Sequence, residues 1–374
     1  MIQQQRILFL GAGKLGGQIL DLLLRIPGKH RFLIGGRNLP LLYKRVNLSV
    51  MAAIQLGFTS EVECVPLDLE HIEQTADIIA RFQPTLLFCA ATRQPLGGAQ
   101  GLPPALAQQL AVVPMAPRLP FSLSLLYNLM QAVQLSGRKQ TTTVINAIFP
   151  DMIHPILQQI DLAPTTGIGD LANNIPALRL AIARNLNVPL PHVDVRLVMA
   201  RWVSYWISRT DVTSAPYHFT VFVNGKNCTH LVKSNEIFQE LPTTLKRAGG
   251  ETGLLMTAAS AAVVCHALLC NQPTLTHVPG PNGLPGGYPV QIHAQGVEIK
   301  LPSDITLEMA EHINKAGLRL DGIERIESNG TVIFTDEAVT LYKKLLGYEC
   351  PRLPLSEVEE WLQELKMRYE RAKI

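Results

Sequence analysis

A short apolar run, Arg6-Ile-Leu-Phe-Leu10, leads without a break into Gly11-Ala-Gly13-Lys-Leu-Gly16. A helical pattern follows, with Leu15, Ile19, Leu22, Leu23 and Ile26 on one face, and Pro27-Gly28 closes it. A second apolar run, Arg31-Phe-Leu-Ile34, ends at Gly35-Gly36-Arg37-Asn38. In the order strand, G-x-G-x-x-G, helix, strand, each glycine has separate work. Gly11 permits the tight turn, Gly13 lets a diphosphate approach the backbone, and Gly16 lets helix and strand pack closely. The free N–H groups and dipole at the helix start, where Lys14 and Leu15 sit, then hold the anion. The order predicts a Rossmann domain of α/β class, with a parallel sheet, built to bind a dinucleotide.

The second strand bears on which dinucleotide. A carboxylate there accepts from a ribose 2′-hydroxyl, whereas a guanidinium binds a 2′-phosphate bidentately. Arg37 and Asn38 occupy the place, with Lys44 or Arg45 as a further cation, so NADP(H) is expected; a solvated loop is the plainer role for Arg37. The alternation continues with a strand at Val62–Leu67 ending in Asp68-Leu69, which can border the adenine, and a helix from about Glu70 to Phe82. A fourth strand, Leu86–Ala90, ends in the small residues Ala90-Ala91-Thr92, which suit a place where a cofactor crosses the sheet. Arg93–Pro120 carries six prolines and reads as a long functional loop. A helix at Ser122–Leu135 and a strand at Thr142–Ile145, with Asn146 beyond it, complete a domain over residues 1–146.

Residues 147–335 read as an α+β substrate and dimerisation domain, and 336–374 as C-terminal helices. Val193–Trp206 and Tyr217–Val223 look like strands, the latter closed by Asn224-Gly225, and Glu251–Cys270 reads as a long helix of small residues. Asn329-Gly330 marks a hairpin turn, Thr335 a helix cap, and Ser356 with Glu359 a capping box for the last helix.

Composition excludes several classes. Net charge is +3, and no cluster of Lys or Arg suggests a nucleic-acid footprint. The most apolar run, Leu254–Cys270, is interrupted by Thr257, Ser260 and His266 and runs into Pro/Gly-rich sequence, so no membrane span is expected. Six cysteines with no C-x-x-C pair indicate reduced thiols and no metal site. The strand pattern begins by Arg6, leaving no signal peptide, so the expected compartment is the cytoplasm. Only 17% of residues are charged, and two long blocks are nearly neutral. Gln94–Gly137 holds Arg118 alone, and Thr252–Val297 holds no Asp, Glu, Lys or Arg. One or both are expected to be covered, by a partner in a homodimer or across an apolar cleft.

The chain resembles the saccharopine dehydrogenase-like NADP-binding oxidoreductases. The resemblance rests on Gly11-Ala-Gly13-Lys-Leu-Gly16 and Gly36-Arg37-Asn38, supported by Asp68-Leu69 and Cys89-Ala-Ala-Thr92, over about residues 5–146. It implies an NADPH-linked dimer acting on an amino-acid-like or carbonyl small-molecule substrate.

For the chemistry, Asp151 and His154 lie three apart on a helix opened by Phe149-Pro150. A carboxylate orienting an imidazole makes a general acid; equally, Asp151 suits a helix start and His154, before Pro155, a surface. Asp170 and Asn173-Asn174 bind substrate or cap a helix. Arg201, among Trp202, Tyr205 and Trp206, holds a substrate carboxylate, serves an interface or stacks on an aromatic ring. Tyr288, in Gly286-Gly-Tyr-Pro289, is an acid or a turn anchor. Two functions follow: an oxidoreductase acting on C=O or C=N, or a non-catalytic NADP(H)-binding regulatory or assembly protein.

Overall fold

The computed structural model describes residues 4–93, 101–209 and 215–373. Six strands form one sheet: β1 (Arg6–Leu10), β2 (Arg31–Gly36), β3 (Glu61–Pro66), β4 (Leu86–Cys89), β5 (Thr143–Asn146) and β6 (Thr166–Gly167). Their order is β3-β2-β1-β4-β5-β6, and every pairing is parallel. Helices α1 (Lys14–Leu23), α2 (Leu39–Gln55), α3 (Ile72–Phe82), α4 (Pro104–Val112), α5 (Pro120–Leu135) and α6 (Pro150–Gln158) connect or follow them. β1 and β4 are central and buried on both faces, which explains why they read as unbroken apolar runs. The order reverses between β1 and β4, and open α/β sheets bind ligands at such a switch point, beyond the carboxyl ends of the strands.

Three antiparallel sheets make up the rest. They are β7 (Val193–Val198), β8 (His218–Val223) and β9 (Lys226–Asn227); β10 (Thr274–Pro279), β11 (Gly287–His293) and β12 (Gly296–Ile299); and β13 (Ile323–Ile326), β14 (Val332–Phe334) and β15 (Arg352–Leu353). The remaining helices are α7 (Ile175–Asn185), α8 (Arg201–Ile207), α9 (Ser234–Glu240), α10 (Gly250–Leu269), α11 (Leu307–Leu320), α12 (Asp336–Leu346) and α13 (Val358–Arg371). The chain is α/β: a Rossmann domain followed by an α+β region.

Four local expectations need correction. The proline-rich stretch after Arg93 contains α4, because Pro104 stands at the helix start, where a missing N–H costs nothing; residues 94–100 lie outside the described ones. Val193–Trp206 is a strand only to Val198, after which α8 begins and Trp202, Tyr205 and Trp206 take helical spacing. The Ser356–Glu359 capping box does not form. α13 starts after a short 3₁₀ turn, and the Glu359 carboxylate instead meets Arg93, at 3.3 Å. Asn146 does not end the sheet, since β6 adds a sixth strand to it.

The neutral blocks have different fates. In the first, α5 buries eleven of its residues, and α3 and α13 of the same chain cover it, with Phe121 edge-on to Tyr369 at 5.6 Å. The chain's own C-terminal helix thus does what was expected of a partner or a cleft. In the second block, α10 is the one helix among the described residues long and apolar enough to cross a membrane. It packs against α1, β10 and β11, and leaves Leu255 and Val263 exposed.

Candidate active site

At the end of β1, Gly11 takes φ +92°, and a Cβ there would lie 2.6 Å from the Ala90 carbonyl carbon. A Cβ on Gly16 would lie 1.8 Å from the Gly11 oxygen. Both positions therefore admit only glycine. A Cβ on Gly13, by contrast, would meet nothing within 4 Å. The packing that fixes α1 against the sheet thus leaves an open cradle at its N-terminus, where backbone N–H groups face an anion. Lys14 Nζ lies 2.7 Å from Glu251 of α10, and Leu15 is buried.

Arg37 projects from the end of β2, exposed and with no hydrogen bond or ion pair among the described residues. Asn38 caps α2 by accepting from Leu41 N at 3.0 Å. Lys44 is exposed, whereas Arg45 is committed to Asp21 on α1 at 2.6 Å. Asp68 accepts from Glu70 N in a turn after β3, and Leu69 is buried. Ala90, Ala91 and Thr92 are partly exposed past β4. The cradle, Arg37 and these small residues share the carboxyl side of the sheet.

The Asp151–His154 dyad is not formed. His154 has no exposed surface, against the surface role open to it in the sequence. Its Nδ1 donates to Gly280 O at 2.7 Å, and Asn146 Nδ2 donates to its Nε2 at 3.2 Å. Burial holds the imidazole neutral, with its pKa pushed down to about 4. Asn146 also accepts from Ile148 N and donates to Ile148 O, so its amide shapes the turn after β5. Gly280, at φ +62°, leaves no room for a Cβ beside His154 Nδ1, and Gly286 N donates to Asp151 O. The Pro/Gly-rich segment before β11 is therefore a clasp onto α6. Tyr288 is wholly buried, its hydroxyl next to Asn314, and no hydrogen bond joins it to Asp151 or His154.

Asp151 belongs to another group. Its Oδ2 accepts from Arg201 N at 2.8 Å. The Arg201 guanidinium is buried and grips Asp321 through Nε, at 3.1 Å, and Nη2, with Tyr205 5.7 Å away. Met115 and Trp202 N–H groups also donate to the Asp321 carboxylate. Burial pushes Asp151 far above the usual carboxylate range, with Asp170 and Asp321 adding to the shift. Burial likewise raises Asp170 to about 6, partly offset by Arg201. Asp321 escaped sequence reasoning. An Asp at a helix end before Gly322 reads as a turn, and nothing local announces a partner 120 residues upstream.

No family model and no curated protein matches the chain. Solved structures do match. The lactate dehydrogenase from Eimeria maxima with NADH and oxamate is 13% identical, over 85% of this chain and 92% of that one, with TM-score 0.56. The lactate dehydrogenase from Cryptosporidium parvum with lactic acid and nicotinamide adenine dinucleotide is 17% identical, over 86% and 99%, with TM-score 0.55. The malate dehydrogenase from Plasmodium falciparum with NADH is 14% identical, over 84% and 96%, with TM-score 0.55. At these identities the likeness is one of fold, extending over both parts of the chain.

The His154 clasp has a pH signature. A pKa lowered from 6.5 to about 4 gives stability that is whole above pH 6.5 and is lost as pH falls toward 4. Denaturant titrations should show wild type losing up to about 3 kcal/mol more between pH 7.5 and 4.5 than His154→Asn. Equal losses would contradict the clasp.

Proposed function

We propose that this chain is an NADP(H)-dependent oxidoreductase acting on a C=O or C=N group of a small metabolite. The observation that carries the reading is the open cradle at Gly13, with the unpaired Arg37 beyond β2. No Asp or Glu occurs from Arg31 to Ser60, so no carboxylate stands on β2 or α2 to repel a 2′-phosphate. Gly11, Gly13, Lys14, Leu15 and Gly16 would hold the diphosphate. Arg37 and Asn38 would hold the 2′-phosphate, with Asp68 and Leu69 at the adenine and Ala90, Ala91, Thr92 and Asn146 along the nicotinamide half. The nicotinamide, when bound, supplies or accepts the hydride. The neighbours bound to NADH support a nicotinamide dinucleotide, and the saccharopine dehydrogenase-like resemblance is a narrower form of the same reading.

The candidate acids Asp151, His154 and Tyr288 are all enclosed and bonded apart, Asp151 to Arg201 N and His154 to Gly280 O. Their failure to converge favours the second reading, a non-catalytic NADP(H)-binding regulatory or assembly protein. Ionisable groups beyond β5, β6 and β7 weigh for catalysis. NADPH oxidation across a panel of ketones and imines separates the two.

We further propose a homodimer. Leu41, Leu48, Met51, Ile54 and Leu56 on or next to α2, with Leu255 and Val263 on α10, are exposed on two helices that flank α1. They offer roughly 700 Å², close to one partner's share of a standard interface. Light scattering should give twice the chain mass, reduced to one chain by Met51→Glu with Ile54→Glu. A wild-type monomer would remove this proposal.

For the cofactor, Arg37→Ala should weaken NADPH binding roughly 10- to 100-fold, the worth of a charge-assisted contact, and leave NADH nearly unchanged. Equal wild-type affinity for the two dinucleotides would overturn the NADP assignment.

A further inference from the structure

Arg201, three residues after β7 of an antiparallel sheet, meets Asp151 through its backbone N–H; Asp151 itself lies five residues after β5 and Asp170 three after β6, past the carboxyl ends of neighbouring strands of the parallel sheet. That is the ligand side of an open α/β sheet. The charges there do not balance. Arg201 spends both Nε and Nη2 on Asp321, and no salt bridge among the described residues reaches Asp151 or Asp170. Arg247, close in the fold, donates to the Asn173 carbonyl and to Asn174 Oδ1, and to neither aspartate. The Arg201 guanidinium is thus already bonded to Asp321, and Asp151 and Asp170 are left with no ion pair of their own among the described residues.

One atom shows the deficit directly. Asp151 has no exposed surface, yet its Oδ1 meets no donor. A buried carboxylate oxygen without a donor is costly, by about 1–3 kcal/mol or more, and such an atom calls for a proton or a ligand N–H. Asp170 forms the reachable edge of the pair: it is partly exposed, at φ +48° directly after Gly169. The turn is pinned from α10, where Ser260 Oγ accepts from Gly169 N and Thr257 Oγ1 from Asn173 Nδ2, each at 2.9 Å.

Resting on the dinucleotide-binding reading, we propose that Asp151 and Asp170 form a subsite for a cationic nitrogen, so that the substrate is an amine or its iminium. A 2-hydroxy acid such as the lactic acid of one structural neighbour is an anion at neutral pH, and would meet two carboxylates while Arg201 is held by Asp321. An ammonium instead offsets the cost of holding ionised carboxylates inside the protein. The upward shift of both aspartates is caused first by burial, and Arg201 offsets it only in part.

Three small probes of one carbon skeleton test this: isobutylammonium, isobutanol and isobutyrate. Calorimetric titration into the full chain, with and without saturating NADPH, should show isobutylammonium binding at least tenfold tighter than either of the others. Asp170→Asn, with its fold checked by circular dichroism, should reduce that binding at least fivefold. Isobutyrate binding as tightly as isobutylammonium overturns the proposal without recourse to any variant, and so does amine binding that Asp170→Asn leaves unchanged. NADPH binding is read separately in the same cell. Its failure would sink the dinucleotide reading alone, since the probe ranking in the free protein still judges the subsite.

Discussion

Burying the Arg201 guanidinium obliges the chain to bring counter-charges to it from distant sequence. Asp321 arrives from the end of α11 and supplies the paired oxygens, while Asp151, from the first turn of α6, accepts from the Arg201 backbone N–H. Ala116 N donates to Asp321 O, and the residues before α5 thereby join the same knot. A desolvated ion would cost several kcal/mol if left unpaired, so these elements are held together by an electrostatic requirement rather than by apolar packing alone. The ligand-facing end of the sheet takes its shape from that requirement.

Around this knot further enclosed polar contacts hold the fold. His154 ties β5 and α6 to Gly280, and within the second part His277 accepts from Leu197 N at 3.1 Å and Asn314 donates to Gly287 O. Each of these side chains is buried and bonded to main-chain groups that would otherwise be orphaned. The low charge content of the sequence has the same origin: α5 lies inside a core completed by Val358, Leu362, Leu365 and Tyr369 of α13.

The dinucleotide-binding half was legible because its determinants are local. Gly11, Gly13 and Gly16 lie within six residues, and each strand announces itself as a short apolar run. The second half was less so, because its determinants join residues far apart in sequence. Nothing near Arg201 points to Asp321, and nothing near His154 points to Gly280. Arg201 itself drew attention through its aromatic neighbours, and the structure gives it both the Tyr205 ring and a carboxylate that no local pattern reveals. His154, preceding a proline, resembled a surface residue. Pro155 is instead accommodated inside α6, which carries the imidazole into the core.

Dinucleotide binding depends on the anion cradle at the start of α1. Gly13 isolates that cradle, because its backbone is extended at φ −75° and a Cβ there would touch nothing in the free protein. The decisive measurement is NADPH binding by fluorescence titration to Gly13→Leu, alongside its melting temperature. Melting within about 2 °C of wild type, a shift of no more than about 1.5 kcal/mol, together with loss of NADPH binding, is the predicted result. Unaltered NADPH binding by a folded Gly13→Leu protein would contradict it.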